Sequence, residues 1–179
     1  MREDSGDNRN VSINKSEPGP GFSPSTKQTD IAGVVVMSVP SVEYEYGRLT
    51  EFMSPDGDSI YAEPIDHMYF ITNRRHSRRE WHVHQYTFDR YLLVSGQIEI
   101  ALHDARLESA TNGRTIRVEL SPIGTKGAHG LRIPPGVWHS FRTNSQEFTL
   151  LNCKTPPYDR ENPDKLTVRF EESGFDFEW

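Results

Sequence analysis

WHVHQYTFDRYLLVSG, residues 81–96, carries His82 and His84 one residue apart, then Asp89, then an apolar run that stops at Gly96. The stretch reads as two strands separated by a bend. Side chains alternate along a strand, so His82 and His84 project from one face. If that face lines the interior of a barrel, both imidazoles enter a cavity. Asp89, past the bend, then returns beside them on a neighbouring antiparallel strand. IPPGVWHSF, residues 133–141, supplies a third imidazole, His139, just after a Pro-Gly turn.

Outward from this stretch the sequence is a series of short apolar segments divided by turn residues. IAGVVVMSV, IYAEP, HMYFITN, TIRVEL, LRIPPG and FTLLNC all read as strands, and SPDGDS as a turn. YLLVSG and QIEIAL form a pair around Ser95-Gly96. In QIEIAL, Ile98, Ile100 and Leu102 alternate with Gln97, Glu99 and Ala101, the period-2 pattern of a half-buried strand. DRENPDKLTVRF, near the end, is a weak helix candidate interrupted by a proline. Many short strands predict an all-β antiparallel sandwich or barrel with few short helices. Residues 1–29 are polar and Gly/Pro-rich and read as a disordered tail. The folded domain is then 30–179.

The chain has 179 residues and a formal net charge of -6, which suits one domain and argues against nucleic-acid binding. Arg74, Arg75, Arg78 and Arg79 form a local basic run, either phosphate-facing or a solvated loop. A lone cysteine, Cys153, excludes an internal disulfide and reads as a small buried apolar residue. No apolar run approaches the length needed to cross a bilayer, and MREDSGDNRN lacks the apolar core of a secretory signal. A cytosolic protein without membrane or nucleic-acid partners is the expectation.

HxH, an acid, a glycine and a later PxGxxH resemble the two-part pattern of the cupins. That resemblance implies a jelly-roll barrel in which these groups converge. Asp89 stands where cupins usually have Glu, and His76 stands at the pattern's first glycine. Three imidazoles and a carboxylate suit Mn, Fe, Ni or Zn. The competing reading makes His82 and His84 ordinary barrel-lining residues. With Asp89 and His139 at this spacing, a functional pocket is the better reading. A metal-dependent cupin enzyme, with a divalent transition metal on His82, His84, Asp89 and His139, stays open beside a metal-free site.

Further segments resemble one metal-free branch, the dTDP-4-dehydrorhamnose 3,5-epimerase family, over roughly residues 43–166. HDARLESATNG (103–113) is similar to a family segment through Asp104, Arg106, Ser109, Thr111 and Gly113. VELS, RIPPGVWHSF, KTPPYD and RREWH resemble further family segments in the family's order. The resemblance implies an epimerase of a nucleotide-linked 4-keto-6-deoxy sugar, working without a cofactor as a homodimer that exchanges N-terminal strands. It makes His82 the general base and Tyr158 the general acid. Arg79 and His139 would contact the nucleotide sugar, and Glu51 matches an acidic family position. His84 stands at a family glutamine and Asp89 at a family lysine. The aspartate that orients the base has no counterpart, although Asp176 is nearby in sequence. These departures also admit a non-catalytic sugar-binding cupin. Trp81 and Trp138 are expected to face away from the pocket. His67, His76, His103 and His129 read as bystanders.

Overall fold

The structure, a computed structural model, describes residues 23–53, 58–61, 63–143 and 147–179. Fourteen short strands lie among the described residues: β1 (Ser25–Gln28), β2 (Val35–Ser38), β3 (Ser41–Tyr44), β4 (Gly47–Thr50), β5 (His67–Asn73), β6 (Ser77–Arg78), β7 (Trp81–Val83), β8 (Phe88–Ser95), β9 (Ile98–Asp104), β10 (Thr115–Leu120), β11 (Gly130–Ile133), β12 (Val137–Thr143), β13 (Phe148–Thr155) and β14 (Leu166–Val168). One antiparallel sheet runs β1-β2-β11-β8-β13-β5. The other runs β10-β9-β12-β7-β14, with β6 added to β12, and β3 and β4 form a separate hairpin. Sheets with these crossovers, face to face, make the all-β jelly-roll barrel that the sequence implies.

The space between the sheets is filled by the period-2 residues. Ile98, Ile100 and Leu102 from β9 pack with Tyr91 and Leu93 from β8, Phe141 from β12 and Leu150 from β13. Burying each such apolar side chain is worth about 1.5–3 kcal/mol. The β8–β9 turn requires its glycine. Gly96 has φ +82°, and a Cβ there would lie 2.4 Å from the Glu147 carbonyl oxygen.

Three expectations change. Order reaches back past residue 29, because Ser25–Gln28 pairs with β2 along Val35–Ser38. The rest of the expected tail, residues 1–22, lies outside the described residues, as does most of SPDGDS. Ile60 and Tyr61 of IYAEP lie in a turn and not a strand, and both are buried in a second apolar cluster. DRENPDKLTVRF is no helix: it carries β14, which pairs with β7, and ends where a 3-10 turn, Phe170–Glu172, begins. Among the described residues no helix is long and apolar enough to cross a membrane.

Candidate active site

The two sheets contribute different chemistry to one cavity. β7 and β12 are neighbours in which His82 sits directly opposite His139. β8 and β13 are neighbours in the facing sheet, with Asp89 directly opposite Lys154. His84 follows β7 at a bend closed by Asp164, whose carboxylate accepts the backbone N–H groups of Gln85, Tyr86 and Thr87 at 2.7–2.8 Å. The Pro-Pro-Gly turn before β12 is tied to that bend, because Gly136 N–H donates to the His84 carbonyl at 2.8 Å. Gly136 has φ +80°, and a Cβ there would press within 2.6 Å of Arg106. Thus two segments far apart in the chain place three buried imidazoles together, as the motif spacing implied.

The cavity has a volume of about 600 Å³. His82 and His84 line it, and His139 stacks edge-on behind His82 at a ring separation of 4.0 Å. One ring nitrogen from each histidine lies within 4.8 Å of the other two. Each Nδ1 faces a backbone carbonyl: Glu80 for His82 at 3.2 Å, Val137 for His139 at 3.1 Å, and Asp164 for His84. A nitrogen held against a carbonyl carries the proton, so Nε2 of each ring is turned inward.

Asp89 is fully buried. Its Oδ1 accepts from Asn152 Nδ2 at 2.8 Å and lies 3.1 Å from Lys154 Nζ. Lys154 Nζ also meets His84 Nε2 at 3.0 Å. Burial alone would raise the Asp89 carboxyl, but contact with His139 and the charges of Lys154, His139 and His84 hold it well below the usual carboxylate range. Burial, then the charges of His139 and Lys165, push His82 well below the ordinary histidine value. Burial also lowers His84. His82 is therefore a neutral imidazole with an open lone pair.

Arg79 lines the cavity, donating to Asn73 Oδ1 at 2.9 Å and lying over the Phe141 ring. Tyr158 is half-exposed at the mouth, stacked on His67 at 5.6 Å. The lining also includes Lys154, Arg160 and Lys165, with Asp89 as its carboxylate. A concave surface with this excess of cations attracts an anionic ligand.

Of the expected residues, His82, His84, Asp89, His139, Arg79 and Tyr158 gather here. Glu51 does not: it follows the β3–β4 hairpin, beside Leu49, Phe52 and Met53. Asp176 is exposed and does not reach His82, whose Nδ1 is held by the Glu80 carbonyl instead. Trp81 turns away as expected, packed against Phe170 and Phe175. His129 has a structural role between Val39 N–H and the Thr125 carbonyl. His67 is no bystander, since it lines the cavity under Tyr158. Sequence reasoning also missed Lys154, Arg160 and Lys165. The signal for Lys154 lay in LLNCKT, where Asn152 and Lys154 are polar residues at alternate positions of an apolar strand.

No family model matches the chain. It is 28% identical over 135 residues, 74% of its length and 84% of the relative's, to a probable low-salt glycan biosynthesis epimerase, Agl13, of Haloferax volcanii. A spore coat polysaccharide biosynthesis protein, SpsL, of Bacillus subtilis is 26% identical over 102 residues, 56% of this chain and 66% of that one. Among solved structures, a dTDP sugar isomerase from Desulfovibrio desulfuricans superposes with a TM-score of 0.73 at 22% identity, covering 84% of this chain and 92% of that one. The dTDP-4-dehydrorhamnose 3,5-epimerase of Elizabethkingia anophelis gives a TM-score of 0.71 at 17% identity, covering 87% and 86%. In fold the chain is thus like the dTDP sugar isomerase and dTDP-4-dehydrorhamnose 3,5-epimerase structures, and in sequence it is similar to a probable glycan biosynthesis epimerase.

Proposed function

We propose that the protein is an isomerase that epimerises a nucleotide-linked 4-keto-6-deoxy sugar by removing and returning a proton beside the ketone. The observation that carries this reading is the state of His82. The Glu80 carbonyl holds the proton on Nδ1, and burial among cations keeps the ring neutral, so its inward nitrogen is a ready base. The 4-keto group acidifies the adjacent C–H bonds. His82 takes the proton, and Tyr158 returns one from the other face of the ring, which inverts the carbon. Arg79, Lys165 and Arg160 suit the negative charge of a nucleoside diphosphate. The Asp89 carboxylate at the family's lysine position would repel an enolate, but Lys154 at 3.1 Å offsets its charge.

A homodimer fits this reading. β5 ends its sheet with Met68 and Phe70 exposed, and the β3–β4 hairpin presents exposed Tyr44, Tyr46 and Leu49, with Phe52 and Met53 just beyond. A hairpin set on the partner's β5 would cover both patches and bring Glu51 toward the partner's cavity. Light scattering on the eluting protein should give twice the chain mass, and a monomer would remove this arrangement.

The activity test is incubation with a dTDP-4-keto-6-deoxy sugar in deuterated water. Deuterium should enter ring carbons next to the ketone and fail to do so with His82→Ala. Exchange no faster than in buffer would overturn the proposal.

A further inference from the structure

We infer that Asp164 is a positioning residue for the return of the proton: it ties the segment that carries Tyr158 to the bend that carries His84, and so keeps the acid on the face of the sugar opposite His82. The inference rests on the epimerase reading for the roles of His82 and Tyr158 and adds to it the residue that sets them against each other.

Residues 156–165 run from the end of β13 to the start of β14 and bring Tyr158, Arg160, Pro163 and Lys165 to the cavity. Much of what shapes this segment is internal. Asp159 accepts the N–H groups of Glu161 and Asn162 at 2.9 and 3.1 Å. Lys165 N–H donates to the Pro163 carbonyl at 2.9 Å, and the Arg160 guanidinium lies over the Tyr158 ring. These contacts give the segment a form without fixing it to the barrel. Among the described residues, the side-chain hydrogen bonds that join it to the barrel all involve Asp164.

Asp164 makes the tie twice. Its Oδ1 accepts from Gln85 N–H at 2.7 Å, its Oδ2 accepts from Tyr86 and Thr87 N–H at 2.8 Å, and its carbonyl accepts from His84 Nδ1. Hydrogen bonds to an ionised carboxylate are the strong kind. The two sides of the tie are not equally secure without it. The bend stays joined to β12 through Gly136 N–H and the His84 carbonyl at 2.8 Å, and His82 keeps the Glu80 carbonyl at 3.2 Å. Tyr158, by contrast, is half-exposed and rests on His67 by a ring stack. Loss of the Asp164 carboxylate should therefore leave the base in place and release the acid.

The chemistry makes that release visible. His82 takes the proton from the carbon beside the ketone, which leaves an imidazolium and an enolate. Tyr158 O–H then protonates the far face and inverts the carbon, leaving a phenolate, and solvent resets both side chains. With Tyr158 displaced, the enolate recovers a proton from His82 on the original face. In deuterated water the imidazolium first trades its proton for deuterium, so label enters the sugar without inversion.

The test follows a dTDP-4-keto-6-deoxy sugar in deuterated water with the full chain, reading label by mass spectrometry and configuration by NMR. Asp164→Asn keeps the shape of the side chain but turns an NH2 group toward the N–H groups of the bend. Inversion should fall about 10²-fold, the usual cost of a displaced reacting group, while exchange falls far less, so label collects in sugar of the original configuration. The comparison is Asp104→Asn, which weakens a carboxylate that accepts from Arg106, Ser109 and Thr111 away from the cavity. It should lose stability and keep the wild-type ratio of exchange to inversion. Circular dichroism checks folding, and Asp164→Ser, which retains one acceptor oxygen, should show the same change of ratio in smaller degree if the Asn variant does not fold. Exchange and inversion falling together in the Asp164 variants, or the ratio rising equally in Asp104→Asn, would overturn the positioning role and leave the epimerase reading standing. Wild-type protein that neither exchanges nor inverts would overturn both.

Discussion

The two walls of the cavity are built on opposite principles. On the β7–β12 wall, main-chain carbonyls hold the imidazoles in place, so ring position and tautomer are fixed by the sheet itself. On the β8–β13 wall, Asp89, Lys154 and Asn152 are held mainly by each other. The first wall tolerates loss of a neighbour; the second does not, because removing one charge strands another in a dry site. A base needs a fixed direction, and a charge-balancing group needs a partner. Each wall is suited to one of these tasks.

The largest effect expected from this contrast is on chemistry. His82→Ala should reduce deuterium exchange by about 10²–10⁴, the usual worth of a general base, with little change in melting temperature. A comparable loss of stability would show that the imidazole wall is not self-supporting. Next, Asp89→Asn and Lys154→Met should each destabilise by about 3–5 kcal/mol in urea unfolding, while the double variant recovers much of that loss. Additive losses would break the picture of a mutually held pair. Arg79→Ala removes a lining cation that lies over the Phe141 ring and makes no contact with the imidazoles or the Asp89–Lys154 pair, and it should raise KM about tenfold with kcat nearly unchanged. A fall in kcat alone would place Arg79 at the reacting carbon.

The smallest effect uses a carboxylate outside the cavity. Asp104 accepts from Arg106, Ser109 and Thr111 in the loop after β9. Burial would raise its carboxyl, but these bonds outweigh that and hold it well below the usual range. A depressed carboxyl contributes stability that is complete above its unfolded value of about 3.9 and is lost as pH falls through the folded one. The melting temperatures of the wild type and Asp104→Asn should therefore differ at neutral pH and converge in acid. A gap that stayed constant with pH would show that the loop is held by shape and not by charge.

The imidazole wall was legible in the sequence and the charged wall was not, for a physical reason. HVH and PPGVWH carry their meaning locally: alternation gives the common face, and the turn gives the third ring. Lys154 matters only because strand register sets it opposite Asp89, 65 positions earlier in the chain, and register cannot be read from one strand. Thus Asp89 looked like a missing lysine, although a lysine stands beside it. The backbone carbonyl behind His82 was invisible for the same reason: a main-chain group has no letter in the sequence. The strands themselves were readable wherever period-2 alternation ran for six or more residues, as in QIEIAL. Polar segments misled: Ser25–Gln28 joins a sheet edge because β2 offers it a ladder, and no apolar pattern announces that.

Trp81, the residue immediately before the proposed base His82, is clamped from outside by Phe170, Phe175 and Phe177, and Glu80 receives the Phe170 N–H. Residues 170–179 thus act as a brace on the back of the strand whose front carries His82. Shortening the chain at residue 169, or burying a purification tag beneath those aromatics, would loosen the His82 imidazole from behind without altering any group that lines the cavity. Expression designs for this protein should leave that end alone.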